Sequence, residues 1–267
     1  MLDQTLLEVP QQLFQRLDLV WTFILLFVRY LSMMMLLPGI SMGMRGLMVR
    51  VPATIALAIA SVSTSRLAPV PADYVQVGWL IVAEILFGLV IGMIPYLIVS
   101  GAQMAGQLTS NTMGLAAGNL IDPSLGTGTT PLSLLMGDLV ILTFLLLSGH
   151  HVAIYFAAGL GGAIPPGALL PIGSTAELLV DRSAYIFESG VILSAPVIVA
   201  LLLTQFVMGL ISKAVPTVNI FIVSFPLTIG IGLIITALSL PAFMLAVSKQ
   251  ITGVEGSLMV VCRAMMQ

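Results

Sequence analysis

The sequence predicts an all-α, polytopic integral membrane protein, on the evidence of its composition and the pattern of its apolar runs. Of 267 residues, 59% are hydrophobic and only 7% are charged, and the mean hydropathy is +1.15. A typical soluble domain is about 25% charged, so this chain has too little charge to solvate a globule of its size. The apolar runs are continuous rather than alternating, which disfavours a transmembrane β-barrel.

Six apolar runs are predicted to form helical segments, since about 20 residues of helix cross a hydrocarbon core. The last run would be about 45 Å long at a rise of about 1.5 Å per residue, which exceeds the core thickness of about 30 Å. We therefore expect it to tilt, to kink or to stand partly outside the bilayer within an assembly. The predicted spans are 17–37, 51–65, 77–100, 132–148, 191–211 and 218–247.

The N-terminal part begins with residues 1–16, where Leu and Phe alternate with Gln and acids, as in a short interfacial helix. The first span carries Arg29 and ends at Pro38. The second span is rich in Ala and suits close packing against neighbouring helices.

The third span carries Glu84 and two glycines four residues apart, Gly88 and Gly92. A GxxxG pair lets two helix backbones approach closely. Pro95 is expected to kink this helix.

The C-terminal half contains a region with few charges, 149–171, that we interpret as re-entrant or interfacial. A short surface helix is predicted at 174–188, where charged and apolar residues alternate. The last two spans are predicted to form a hairpin that turns at Lys213 and Pro216.

The stretch 101–131 separates the third and fourth spans and has an unusual composition. It holds six glycines, many Gln, Ser, Thr and Asn residues, and one charge, Asp122. Non-helical backbone at membrane depth survives only where it is buried in protein or lines a cavity. We therefore predict an internal loop that lies in or across a protein-lined pore.

A polar row is expected if the third helix continues past Ser100. Gln103, Gln107 and Asn111 would then share one helix face, with Gly114 following. The row is interpreted either as a pore-facing row that leads into a flexible plug or as a polar contact between helices.

Basic residues suggest the orientation. Arg45, Arg50 and Lys213 fit cytoplasmic turns under the positive-inside rule, and six spans would then place both termini outside. The net charge of −2 and the absence of a basic tract give no indication of nucleic-acid binding.

Catalytic and metal-binding patterns are weak. His150 and His151 are adjacent, so on a helix they point in different directions, and no acid lies within a turn of them. The sequence contains no nucleophile elbow, P-loop or dinucleotide fingerprint. We therefore predict no enzyme activity, no catalytic residue, no cofactor and no metal. An intramembrane hydrolase is a further alternative, but it requires a nucleophile–base pair or metal ligands, which the sequence does not provide.

Arg29 and Glu84 are predicted to be intramembrane charges. Such charges are costly and usually face a partner or a wet cavity. They are expected to pair with each other or with another subunit. A small-solute secondary transporter that uses Arg29 and Glu84 is the alternative function.

Several ordered stretches together carry a resemblance that covers nearly the whole chain. The longest are AGQLTSNTMGLAAGNLIDP (105–123) and APVIVALLLTQFVMGLISKAVPTVNIFIVSFPLTIGIGL (195–233). They are accompanied by the first span with Arg45, Arg50 and Pro52, by the Glu84-x-x-x-Gly88-x-x-x-Gly92 spacing and by SGHH (148–151). These stretches resemble the FliR family, the R component of the type III protein-export gate of bacterial flagella, which is related to the injectisome T subunit.

The resemblance implies a subunit that helps to form, seal and gate a channel for unfolded export substrates. It implies a P-like part at 1–190, with a plug loop at about 107–123, and a Q-like helical hairpin with a C-terminal tail at 191–267. Expected partners are the P and Q subunits, the B-type switch subunit, the export platform, exported unfolded proteins and the membrane. The expected location is the bacterial inner membrane, within the flagellar basal body. The residues assigned to the plug and pore are Gln103, Gln107, Asn111, Met113, Gly114, Leu115, Leu120, Ile121, Asp122 and Pro123.

Overall fold

Most residues that the structure describes lie in helices. The computed structural model describes residues 17–39, 44–68, 70–115, 129–168, 172–214 and 220–266, and none of these lies in a β-strand. The all-α prediction is confirmed. The helices are α1 Leu17–Leu36, α2 Met44–Val62, α3 Tyr74–Met113, α4 Pro131–Leu146, α5 Gly149–Ala157, a four-residue turn Gly159–Gly162, α6 Ile172–Ala214, α7 Ile220–Thr252 and α8 Val254–Met266.

The described residues contain four helices that are long and apolar enough to cross a membrane, in agreement with a polytopic membrane protein. A fifth candidate arises if α4 and α5 are counted as one broken span. This count differs from the six predicted spans, because the apolar part of α2 is a shorter helix, Gly46–Val62. The placement of both termini outside depended on six crossings, so it loses its basis. The predicted interfacial helix at 1–16 lies outside the described residues.

Helix α3 is longer than the sequence suggested. It runs unbroken for 40 residues through Pro95, so residues 101–113 are helical and do not belong to a loop. The helix ends at Gly114, whose φ is +86°. Leu115 N–H donates to Ser110 O at 3.1 Å and Gly114 N–H donates to Asn111 O at 3.2 Å. These two bonds form a Schellman motif, in which a left-handed residue closes the helix.

Helix α6 joins two segments that were predicted to be separate. The surface helix at 174–188 and the span at 191–211 are parts of one 43-residue helix that also contains Pro196. Gly190, which lies between the two predicted segments, is buried, and a Cβ there would lie 3.2 Å from Met104 Sδ. The change in polarity along α6 therefore reflects a change in its surroundings and not a change in secondary structure.

The chain folds into two compact units, each made of separated segments. The first comprises residues 1–96, 148–180 and 253–267, and the second comprises 97–147 and 181–252. The division at residue 190 into P-like and Q-like parts rests on the resemblance and stays a prediction.

The first unit has its core where α1 meets its neighbours. Leu25, Leu26 and Tyr30 of α1 are completely buried. The Tyr30 hydroxyl lies 2.6 Å from Ser61 Oγ on α2, so the polar end of this buried ring has a partner. Ala68 N–H donates to Thr22 Oγ1 at 2.8 Å, which fastens the segment after α2 to α1.

The second unit is packed closely around the C-terminal half of α3. A Cβ at Gly106 would lie 2.7 Å from Ser133 Cα, so the backbones of α3 and α4 are in contact there. Ser133 Oγ donates to Gln103 O at 2.8 Å across the same contact. Small residues thus serve the role that they commonly have between membrane helices.

Candidate functional site

The two predicted intramembrane charges form a buried ion pair in the first unit. Arg29 Nε donates to Glu84 Oε2 at 2.5 Å, and Arg29 Nη2 donates to Glu84 Oε1 at 2.9 Å. Both side chains are 1% exposed. Two parallel bonds between a guanidinium and a carboxylate are the strongest geometry that such a pair adopts.

Neighbouring side chains shape the space around the Arg29 guanidinium. The Phe87 ring centroid lies 4.8 Å from Arg29 Cζ, which adds a cation–π contact. Gly88, one turn after Glu84 on α3, lets α1 approach, because a Cβ at that position would overlap Arg29 O and Ser32 Oγ. The glycine therefore brings the two charged residues within bonding distance.

Close approach of α1 and α3 yields a first prediction. Replacing Gly88 or Gly92 by Ala should lower the free energy of unfolding by about 1–3 kcal/mol, the usual cost of overpacking, since a Cβ at Gly92 would lie 2.6 Å from Met33 O. Gly78 on the same helix is the matched control, because a Cβ there meets nothing within 4 Å. Thermal unfolding in detergent checks the difference, and equal effects at all three positions would contradict it.

Two backbone groups complete the ion-pair site, and neither was predicted from the sequence. Arg29 Nη1 donates to Ala157 O at 3.3 Å, and Gly167 N–H donates to Glu84 Oε1 at 2.5 Å. Ala157 is the last residue of α5, and the final carbonyls of a helix lack intrahelical partners. The guanidinium thus gives the Ala157 carbonyl a hydrogen-bond donor at the C-terminal end of α5, where the helix dipole favours positive charge.

The chain reaches these positions through an unusual turn. Gly159, Leu160, Gly161 and Gly162 all have positive φ, at 70°, 55°, 68° and 96°. Residues with a Cβ seldom adopt a positive φ, whereas glycine adopts it freely. The cluster of glycines in GLGGAIPPG was the available signal, because glycine is the residue that most readily adopts positive φ.

The ion pair is closed to ligands in this arrangement. Arg29 is 0% exposed and Glu84 is 1% exposed, and each bonds the other as well as a backbone group of the same unit. A charged site for a solute would keep one group accessible. This geometry ties α1, α3 and the segment after α5 together.

The predicted polar row lies in the second unit and meets α4. The Gln107 side-chain oxygen accepts from Thr130 N–H at 3.1 Å and from Thr130 Oγ1 at 3.2 Å. Gln107 Nε2 donates to Asn111 Oδ1 at 3.1 Å, and the Gln103 side chain lies where a Cβ of Gly137 would be. In the single chain, the Gln107 side chain bonds the N-cap residue of α4, the Gln103 side chain packs against Gly137 of α4, and Asn111 is exposed. A pore-facing role for the row stays a prediction.

Thr130 is central to these contacts and gives a second prediction. It is 1% exposed and caps α4, since its Oγ1 accepts from Ser133 N–H at 3.4 Å. Thr130→Ala should cost about 1 kcal/mol, as for other N-cap threonines. Thr143→Ala is the control, because Thr143 bonds only the carbonyl one turn back in α4. The unfolding midpoint in urea or heat should fall for Thr130→Ala only.

The remaining predicted plug residues divide between described and undescribed parts of the chain. Met113 is 1% exposed, and Gly114 and Leu115 follow it at the end of α3. Lys213 lies exposed in the last turn of α6. Leu120, Ile121, Asp122, Pro123 and the turn residue Pro216 lie outside the described residues.

The histidine pair lies at the start of α5. The ring centroids of His150 and His151 are 4.1 Å apart with the rings tilted by 46°. Within the described ranges, no group of three or more His, Cys, Asp or Glu residues could hold a metal ion. His151 is exposed, as expected for a residue near the end of a span.

Comparison with known proteins gives a consistent family. The family described as "Bacterial export proteins, family 1" matches residues 20–254. The chain is 30% identical to flagellar biosynthetic protein FliR of Escherichia coli over 72% of this chain and 76% of that protein. It is 29% identical to FliR of Caulobacter vibrioides, over 83% and 89%. It is 25% identical to Yop proteins translocation protein T of Yersinia pestis, over 85% and 89%. The chain therefore belongs to bacterial export proteins, family 1.

Proposed function

We propose that this chain is a subunit of a flagellar-type III export gate, where it helps to form, seal and gate a channel for unfolded proteins. The family match over residues 20–254 carries the proposal, together with relatives named flagellar biosynthetic protein FliR and Yop proteins translocation protein T. Its work is mechanical, and it is not an enzyme. It acts in the bacterial inner membrane as part of the flagellar basal body.

Exposed apolar surface on the long helices supports an assembled subunit. Phe206 on α6 is 64% exposed, and Ile234 and Leu238 on α7 are 62% and 76% exposed in the isolated chain. Apolar surface of this extent needs cover by lipid or by protein. In the proposal, P and Q subunits cover part of it, and the B-type switch subunit and the export platform lie nearby.

Co-expression with candidate P and Q subunits tests the assembly. The mass of the detergent-solubilised particle should exceed that of this chain, and the chain should be unstable or inert when expressed alone. A well-behaved monomer with transport activity would contradict the proposal and support a small-solute transporter. The closed Arg29–Glu84 pair speaks against a transporter that binds its solute there.

The seal is assigned to residues 107–123. Asp122 is the only charged residue of this stretch, which also holds Gly114 and Gly118, so most of the stretch can be enclosed in a pore without burying a charge. Its described part, residues 107–115, ends α3 with the buried Met113 and the left-handed Gly114.

Shortening the chain within 114–118 tests the seal. Small solutes should then leak across membranes that contain the assembled gate. The matched control removes the same number of residues from 124–128, beyond the proposed plug. Unchanged leak together with normal export in the shortened variant would refute a sealing role.

A further inference from the structure

The end of α3 is seated in a notch on α7, within the second unit. Met113 is 1% exposed, and its side chain occupies the space beside Gly232. A Cβ at Gly232 would lie 2.6 Å from both Cγ and Cε of Met113, closer than atoms approach in proteins. The notch therefore exists only because residue 232 has no side chain.

Polar contacts hold the same turn of α3 in place. Gln205 Nε2 on α6 donates to Thr112 O at 3.1 Å. Thr228 Oγ1 on α7 lies 3.2 Å from Met113 O, and it also bonds Ser224 O of its own helix at 2.9 Å. The last carbonyls of a helix have no intrahelical partner, so α6 and α7 provide partners that the isolated end of α3 lacks.

The backbone changes direction directly after this contact. Gly114 has a φ of +86°, and a Cβ there would lie 2.9 Å from Phe225 Cε1 on α7. Met113 is thus the last helical residue before the turn, and it is held by side-chain packing, by the Thr228 hydroxyl at its own carbonyl and by the Gln205 amide at the carbonyl of Thr112. A buried residue that is held in this way fixes the starting point of the chain that follows it.

We propose that Met113, seated in the notch at Gly232, is a fixed anchor that positions the start of the proposed plug on α7. The inference rests on the proposed sealing function, and it assigns to Gly232 and Met113 a positioning role that the family match does not contain. Met113 stays in contact with Gly232 during export. Gln205 and Thr228 support the anchor through the two carbonyls.

Gly232→Ala tests the anchor in the co-expressed, assembled gate. The added methyl displaces Met113 and should raise the leak of small solutes several-fold. Gly230→Ala is the matched control, because it makes the same change on the same helix with nothing within 4 Å of the new Cβ. The thermal stability of the purified particle is measured in parallel. Equal leak in the two variants would overturn the anchor.

The double variant Met113→Ala with Gly232→Ala separates positioning from general damage. Because both changes act on one contact, the double variant should leak no more than Met113→Ala alone. Independent, additive increases would overturn the anchor. The variant shortened within 114–118 is measured beside them. If the shortened variant leaks while Gly232→Ala does not, only the anchor proposal is refuted. If neither the shortened variant nor Gly232→Ala leaks, the proposed sealing function is refuted and the anchor with it.

A cross-link tests the contact between residues 113 and 232 directly, because Met113→Cys removes most of the atoms that an added side chain at residue 232 would overlap. Met113→Cys combined with Gly232→Cys should form a disulfide on mild oxidation in intact membranes. The native Cys262 is buried and stays in place, and Met113→Cys alone and Gly232→Cys alone each report any cross-link to it. Locked gates should remain sealed and should still export protein. Absence of the cross-link, or export that stops on oxidation and returns on reduction, would overturn a fixed anchor.

Discussion

Replacing Glu84 by Ala is expected to lower the free energy of unfolding by about 3–5 kcal/mol, the cost of breaking a buried ion pair from one side. Arg29 is 0% exposed, so its guanidinium would be left without a counter-charge inside the first unit. An arginine cannot lose its proton to escape this penalty. Gly167 N–H would lose its acceptor at the same time.

The partner variant should be milder. In Arg29→Met the Glu84 carboxylate keeps its hydrogen bond from Gly167 N–H, and the methionine side chain fills most of the space of the arginine stem, whereas Glu84→Ala leaves a cavity. Replacing both residues, Arg29→Met with Glu84→Leu, should recover much of the loss, since a buried pair often exchanges for apolar residues at little cost. The predicted order of stability is therefore wild type, double variant, Arg29→Met and then Glu84→Ala.

Intrinsic fluorescence during thermal unfolding measures this order. The chain's two tryptophans, Trp21 and Trp79, both belong to the first unit, so their signal reports on the unit that holds the pair. The control is Glu177→Ala, because Glu177 is exposed on the part of α6 that belongs to the first unit. If Glu84→Ala unfolds at the same temperature as Glu177→Ala, the pair does not hold the unit together.

Several features of the fold were predictable because they depend on composition alone. A run of about 20 apolar residues has few alternatives to a membrane helix. The ends of α1 and α4 accordingly lie within one or two residues of the ends predicted for the first and fourth spans. The close approach at Gly88 was also predictable, because small residues four apart lie on one helix face. These features need no knowledge of distant parts of the chain.

Helix ends in uncharged sequence were not predictable. Gly101, Gly106 and Gly114 look alike in the sequence, yet only Gly114 ends α3. The difference lies in the surroundings. Gly106 packs against α4 within the helix, whereas Gly114 packs against Phe225 of α7 and adopts a positive φ. Tertiary contact decides which glycine continues the helix.

The backbone part of the ion-pair site was invisible to sequence reasoning for another reason. Ala157 and Gly167 act through a carbonyl and an N–H that every such residue carries. Their role depends on the turn that presents them. Leu160 with a φ of 55° could not be foreseen either, because a left-handed leucine is a strained conformation.

Replacing Gly159 by Ala is the second variant with a large expected effect, about 2–5 kcal/mol. A residue with a side chain pays about 1–2 kcal/mol for left-handed φ, and the new Cβ would overlap Ile164 O, an overpacking that costs about 1–3 kcal/mol. That Cβ would also lie 3.4 Å from Arg29 Nη1, beside the guanidinium.

Gly161→Ala is the matched control for the overlap, because Gly161 has a φ of +68°, nearly that of Gly159, and its Cβ would meet only Tyr155 at 3.9 Å. Both variants place an alanine at a left-handed φ and are destabilised by it to a similar extent. The difference between them therefore isolates the contact of the turn with Ile164 and Arg29. Tryptophan fluorescence should show Gly159→Ala unfolding at a clearly lower temperature than Gly161→Ala. Equal midpoints would mean that the turn tolerates the added methyl, and that the ion pair does not depend on its close packing.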